Sequence, residues 1–206
     1  MLFCVSLLAS IITVASAVDR YYHFIIESRI HDDEISPDCQ ELDSHFKHLF
    51  IVRDALNPTA SDPEMTGPKI EADEGDMIHV QVTNLHPYMG TSIHWHGIHQ
   101  IDTPYMDGTV GMTQCQLQPL ATQNYSFAAY PPGTSFWHGH FSMMDADGIA
   151  GPIVIHPKTP VPYEYDEDIV IFLQDFYGGQ TAEQQEVGLL SFPFVWMVSF
   201  CCVVTF

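Results

Sequence analysis

The protein has 206 residues, of which 46% are hydrophobic, 12% aromatic and 16% charged. A chain of that composition can bury a real core, which excludes wholesale disorder. Six Lys and Arg face 26 Asp and Glu, a formal net charge of −20. That leaves too few cations to meet a nucleic-acid backbone or an anionic membrane surface, so neither partner is expected. Twelve His beside six Lys and Arg is an unusual ratio in a chain that attracts cations.

In chain order, residues 1–17 carry no charge, with an apolar run from Leu2 to Val14 and the small-residue pattern Ala15-Ser16-Ala17. This reads as a secretory signal peptide with a mature start near Val18. The alternative is an N-terminal core strand. Export makes disulfides possible, and Asn124-Tyr125-Ser126 is a glycosylation sequon. Strand-like runs with a period of two follow at Tyr21–Glu27, Phe46–Arg53 and Asp76–Asn84, the last with Ile78, Val80 and Val82 on one face. Glu74-Gly75-Asp76 predicts a turn before it. Further strands are expected at Thr91–Trp95, Gln123–Ala129, Ser135–His140, Pro152–His156 and Asp168–Leu173. Pro131-Pro132-Gly133 and Asp107-Gly108 punctuate them. No dozen residues show a helical stripe, so the pattern predicts an all-β sandwich or barrel.

The acidic stretch from Pro157 to Asp168 marks a domain exit. The expected organisation is a signal peptide at 1–17, one domain at 18–160, a linker or the start of a second domain at 161–186, and an apolar tail at 187–206. The tail is uncharged and just long enough for a membrane helix, but Pro193 interrupts it and no basic residue flanks it. The expectation is a reading frame running on into sequence never selected as protein.

Two His-x-His pairs stand out, His94-Trp95-His96-Gly97 and Trp137-His138-Gly139-His140. On a strand, residues i and i+2 point to one face, so each pair offers two imidazoles to one spot. Two such strands side by side make a four-imidazole cluster, a donor set suited to copper, zinc, iron or nickel. Met143 and Met144 are soft enough to touch copper(I), but paired methionines after a strand more often pack. His23, His31, His45, His48, His86 and His156 have no i+2 partner. They and His79 and His99 read as ordinary surface histidines.

At these residues the sequence resembles a known family. Gly90-Thr-Ser-Ile-His-Trp-His-Gly97 and Pro132-Gly-Thr-Ser-Phe-Trp-His-Gly-His140 resemble the first two copper motifs of three-domain multicopper oxidases, the laccase and ascorbate oxidase family. Met106-Asp-Gly-Thr109, Thr113-Gln-Cys115 and Asp147-Gly-Ile-Ala-Gly-Pro-Ile-Val-Ile155 add to the likeness, which runs from about Met65 to about Asp175. The resemblance implies a first plastocyanin-like domain, a cupredoxin-like Greek-key β-sandwich. It implies that His94 is a type 2 copper ligand, and that His96, His138 and His140 are type 3 ligands of a trinuclear cluster. Asp107 resembles an acidic residue that helps move protons to reduced oxygen, which suits a carboxylate beside cations. On its residues alone it is equally a turn aspartate before Gly108. Cys115 resembles a structural cysteine whose partner often lies in the far C-terminal domain. The pairing of Cys39 stays open.

In the family, a reducing substrate feeds electrons to a type 1 copper, a His-Cys-His stretch relays them, and O2 becomes water. No His-Cys-His occurs here, Cys201-Cys202 being flanked by Phe200 and Val203, and the second set of cluster histidines is absent. Half the trinuclear ligands are present. The expectation is therefore the copper-binding N-terminal domain of a secreted, extracellular laccase-like oxidase, truncated and inactive alone. Its partners would be O2, a small reducing substrate and the missing C-terminal cupredoxin domains. The alternatives are a stand-alone four-histidine copper module without turnover, or a structural product with no activity.

Overall fold

The computed structural model describes residues 17–29, 49–58, 66–162 and 164–174. The signal-peptide run, Cys39, Cys201, Cys202 and the apolar tail lie outside the described residues, as do His31, His45 and His48.

The described residues form eight strands: β1 (Asp19–Arg29), β2 (Leu49–Asp54), β3 (Ile70–Asp73), β4 (Met77–Asn84), β5 (Ile93–His96), β6 (Thr122–Ala128), β7 (Gly133–Gly139) and β8 (Ala150–His156). Among the described residues the one helical element is a 3-10 turn at Pro104–Met106. None of their helices is long and apolar enough to cross a membrane. The strands form two four-stranded sheets, ordered β2-β1-β4-β6 and β3-β8-β7-β5. The β1–β4 and β3–β8 pairs are parallel and the others antiparallel. The all-β cupredoxin-like sandwich expected from sequence is the fold observed.

The core lies between the sheets and follows the alternation of each strand. On β4, Ile78, Val80 and Val82 are fully buried, as the sequence pattern required. From the second sheet, Trp95 and Trp137 point inward from directly paired positions of β5 and β7. Trp95 packs on Tyr125 and Phe127 of β6, at ring-centroid distances of 5.2 Å and 4.9 Å. Trp137 packs on Phe24 of β1 at 4.8 Å, and its Nε1–H donates to the Pro68 carbonyl at 2.9 Å. Two indoles from one sheet thus stitch onto aromatic residues of the other, where large ring areas give the most burial per residue.

Two expectations need correction. β3 was not foreseen. Its four residues, Ile-Glu-Ala-Asp, include three poor strand formers, and the parallel ladder to β8 and burial of Ile70 and Ala72 override that propensity. Conversely, 168–173 belongs to neither sheet. Its alternation is real, with Val170 and Phe172 half-buried and Ile169, Ile171 and Leu173 exposed. A period of two marks extended backbone, but a strand also needs a neighbouring ladder.

Candidate metal centre

The register of β5 against β7 builds the site. The pairing sets His94 opposite His138, Trp95 opposite Trp137 and His96 opposite Phe136. With the indoles in the core, the intervening residues must face outward. The imidazoles of His94, His96 and His138 therefore stand together on the outer face of the second sheet. One ligand nitrogen from each lies within 4.8 Å of the others. His140 follows the end of β7, its amide donating to the Ser92 carbonyl at 3.0 Å. Its ring centroid is 5.3 Å from that of His94 and 5.7 Å from that of His138. His94 is central, with His96 and His138 at 5.8 Å and 5.4 Å. All four histidines singled out in the sequence are thus brought to one place.

Two rings are aimed by the main chain. The Nδ1–H of His94 donates to the carbonyl of Asp107 at 2.8 Å. The Nδ1–H of His138 donates to the carbonyl of Gly139 at 3.1 Å. A carbonyl can only accept, so Nδ1 carries the proton in both rings and the Nε2 lone pair is left for a cation. Burial pushes the His138 pKa below the ordinary histidine value, outweighing the opposing effect of the Gly139 carbonyl, with the neighbouring His94 adding to the decrease. The neutral ring is the form that binds metal.

Asp107 stands beside this cluster. Its Oδ1 is 3.3 Å from His94 Nδ1, and its Oδ2 accepts from the Thr109 hydroxyl at 2.7 Å. The loop reaches β5 because residue 108 is glycine. Its φ is +82°, and a Cβ there would run into the Ile93 carbonyl oxygen. Gly139 serves β7 in the same way, since a Cβ would come within 2.8 Å of Met144 Cβ. Met144 is buried in the core, the packing role that its sequence position suggested, whereas Met143 is exposed.

Sequence reasoning missed Phe136. Its ring stacks on His96 at 4.5 Å with an interplanar angle of 20°, and on His138 at 5.2 Å and 25°. Phe172 lies behind it at 6.5 Å. The signal was available, because Phe136 is two residues before His138 and so shares its face. The lone histidines have ordinary partners: His23 with Thr83, His79 with Ser126, His99 against Tyr130, and His156 with Glu71. Cys115 is exposed and unpaired among the described residues.

The comparisons with known proteins agree with this geometry. A family model described as "Multicopper oxidase" matches residues 57–160. L-ascorbate oxidase from Cucumis sativus is 40% identical over 136 residues, covering 65% of this chain and 23% of the relative. Laccase-2 from Botryotinia fuckeliana is 48% identical over 111 residues, covering 53% of this chain and 19% of the relative. Among solved structures, the laccase from Botrytis aclada superposes with a TM-score of 0.68 at 35% identity, over 86% of this chain and 30% of that one. The chain thus spans a quarter or less of the curated relatives it matches. Because the family match takes in about half of the chain and both histidine strands, the chain belongs to the multicopper oxidase family.

Proposed function

We propose that His94, His96, His138 and His140 hold copper as one domain's share of a trinuclear site, in a secreted laccase-like oxidase that couples oxidation of a small reducing substrate to reduction of O2. The observation that carries this reading is the outward imidazole quartet, two of whose members have Nδ1 tied to main-chain carbonyls and Nε2 free. Neutral imidazole nitrogens suit copper. Nitrogen ligands sit about 2.0–2.1 Å from a first-row ion of this kind, so two on one ion lie at most about 4.2 Å apart. The observed span of up to 4.8 Å suits ligands that serve neighbouring ions, as types 2 and 3 would be. Copper, when bound, supplies one-electron redox chemistry and a place for oxygen.

The chain's own residues do the rest. The Asp107 carbonyl fixes the orientation of His94. The Asp107 carboxylate, partly open to solvent and held by Thr109, is placed to pass protons from water toward the cluster. Phe136 and the sheet beneath limit ring movement. The remaining ligands and the electron entry site would come from further cupredoxin domains. Export is supported by the leader-like residues 1–17, and by the sequon Asn124, which is exposed on β6 at the edge of its sheet.

Dialysis of the protein against copper, followed by elemental analysis, tests the site. The wild-type chain should retain copper, and His96→Ala/His138→Ala should lose stoichiometric uptake while keeping its tryptophan fluorescence. Undiminished uptake by that double variant would rule the site out. A second reading of the same four histidines is a copper-holding module without turnover. It expects a colourless copper complex and no oxygen uptake with phenols or ascorbate. Blue absorption with steady oxygen consumption would exclude it.

A further inference from the structure

The outer end of β1 carries an arrangement unrelated to the histidines. The amide nitrogen of Val18 donates to Asp76 Oδ1 at 2.8 Å. Arg20 Nε donates to the other oxygen of the same carboxylate at 2.8 Å, and Arg20 also reaches Asp73 Oδ2 at 3.1 Å. The Asp73 amide adds a bond to Asp76 Oδ2 at 3.2 Å. The Asp76 side chain is only 3% exposed, whereas Ala17 and Val18 are exposed. The position of Val18 is fixed from its other side as well, since its carbonyl accepts from the Met77 amide at 3.0 Å where β1 and β4 begin their parallel pairing.

The charges here do not balance. Asp73 and Asp76 bring two negative charges, and Arg20 brings one positive. The other charged groups facing this end are already engaged: Asp19 with His79 at 3.4 Å, and Glu74 with the Lys158 amide at 3.1 Å, the Lys158 ammonium lying beside Gly75. One more cation at Val18 would neutralise the cluster, and an opposite charge that close to a carboxylate favours the ionised form of both groups. The sequence puts the small-residue cleavage pattern Ala15-Ser16-Ala17 immediately before that nitrogen.

We propose that Val18 is the N-terminus of the processed chain, and that its α-ammonium docks on the buried Asp76 carboxylate. In the cleavage, water adds across the Ala17–Val18 peptide bond under a leader-removing endopeptidase of the secretory membrane. The C–N bond breaks, Ala17 leaves as a carboxylate, and Val18 keeps its nitrogen as an ammonium. That nitrogen already sits within hydrogen-bond distance of Asp76, so cleavage changes its charge without moving it. Removal of the leader would thereby add a buried ion pair to the start of β1. The inference rests on the export reading and is independent of the copper reading.

The test is translation of the full chain with microsomal membranes, followed by N-terminal peptide sequencing of the lumenal product. Its α-amine is then acylated at pH 8 under native and denaturing conditions. One control inserts a glycine between Ala17 and Val18, which moves the α-amine outward and leaves Asp76 its amide donor. A second control is Asp76→Asn. The expected product starts at Val18, and its native acylation at pH 8 is about fivefold slower than in the glycine-inserted chain, the effect of raising an amine pKa by about one unit from its ordinary value of about 7.8. The difference should vanish on denaturation, and Asp76→Asn should acylate at the faster rate. An uncut chain, or a start elsewhere, would overturn the processing site and the export reading with it. A Val18 start with equal rates in wild-type and inserted chains would overturn the docking alone.

Discussion

The carbonyl oxygen of Asp107 accepts the Nδ1–H of His94 at 2.8 Å, while the carboxylate of the same residue stands 3.3 Å from that nitrogen. One residue therefore acts on the central imidazole twice, through its main chain and through its side chain. The two actions separate by mutation. Asp107→Asn removes the charge and leaves the carbonyl, whereas a change at Gly108 disturbs both.

Gly108→Ala should destabilise the protein by about 1–3 kcal/mol, because a side chain is forced to positive φ and its Cβ meets the Ile93 carbonyl. It should also weaken copper retention, as His94 loses its anchor. Urea unfolding and copper dialysis on the same preparation check both effects. An unchanged unfolding midpoint would mean that the loop moves aside without cost.

Phe136→Ala should leave the sandwich folded and lower copper affinity. The ring restrains His96 and His138 by stacking, an interaction worth about 0.5–1.5 kcal/mol beyond area burial. Phe136→Tyr should keep most of the affinity. Competition with a calibrated copper chelator measures the difference, and equal affinities for Phe136→Ala and the wild type would show that the stack restrains nothing.

How far the site could be read in advance depended on period. The four histidines and both tryptophans obey strict alternation, so adjacent strands were enough to sort them to opposite faces. The carbonyl of Asp107 was invisible, because which main-chain oxygen meets a ring depends on the path of a loop and not on residue type. β3 was hidden for a related reason: Ile-Glu-Ala-Asp becomes a strand only once β8 lies beside it. The stretch 168–173 erred in the opposite direction, showing a strand's alternation without a ladder.

Trp137→Ala should cost about 3–5 kcal/mol, the range for large-to-small changes at fully buried aromatic positions. Trp137→Phe should cost less, since a ring still meets Phe24, although the bond to the Pro68 carbonyl is lost. Thermal unfolding of the two variants gives the order. A reversed order would place the weight on the indole hydrogen bond.

Acid should act through Asp76. Burial alone would push its carboxyl pKa up, but hydrogen bonds from the Val18 amide, Arg20 and the Asp73 amide outweigh burial and hold it below the ordinary value. A depressed folded pKa gives stability that is fully present above the unfolded value of about 3.9 and is lost as pH falls through the folded value. Asp76→Asn should therefore be less stable than wild type by a constant amount above about pH 5. The gap should close at lower pH. Unfolding midpoints across pH 2–7 test this, and a gap that widens in acid would reverse the sign.

The alternation that sends Trp95 and Trp137 inward and the imidazoles outward also ties two kinds of failure together. If β5 slid by one residue against β7, the Trp95 indole would emerge into water and the His94 and His96 rings would enter the core. No intermediate register keeps a good interior and a scattered quartet. A chain of this kind that has gathered its histidines has already closed its sandwich, so metal capture would report that the two sheets have met in register.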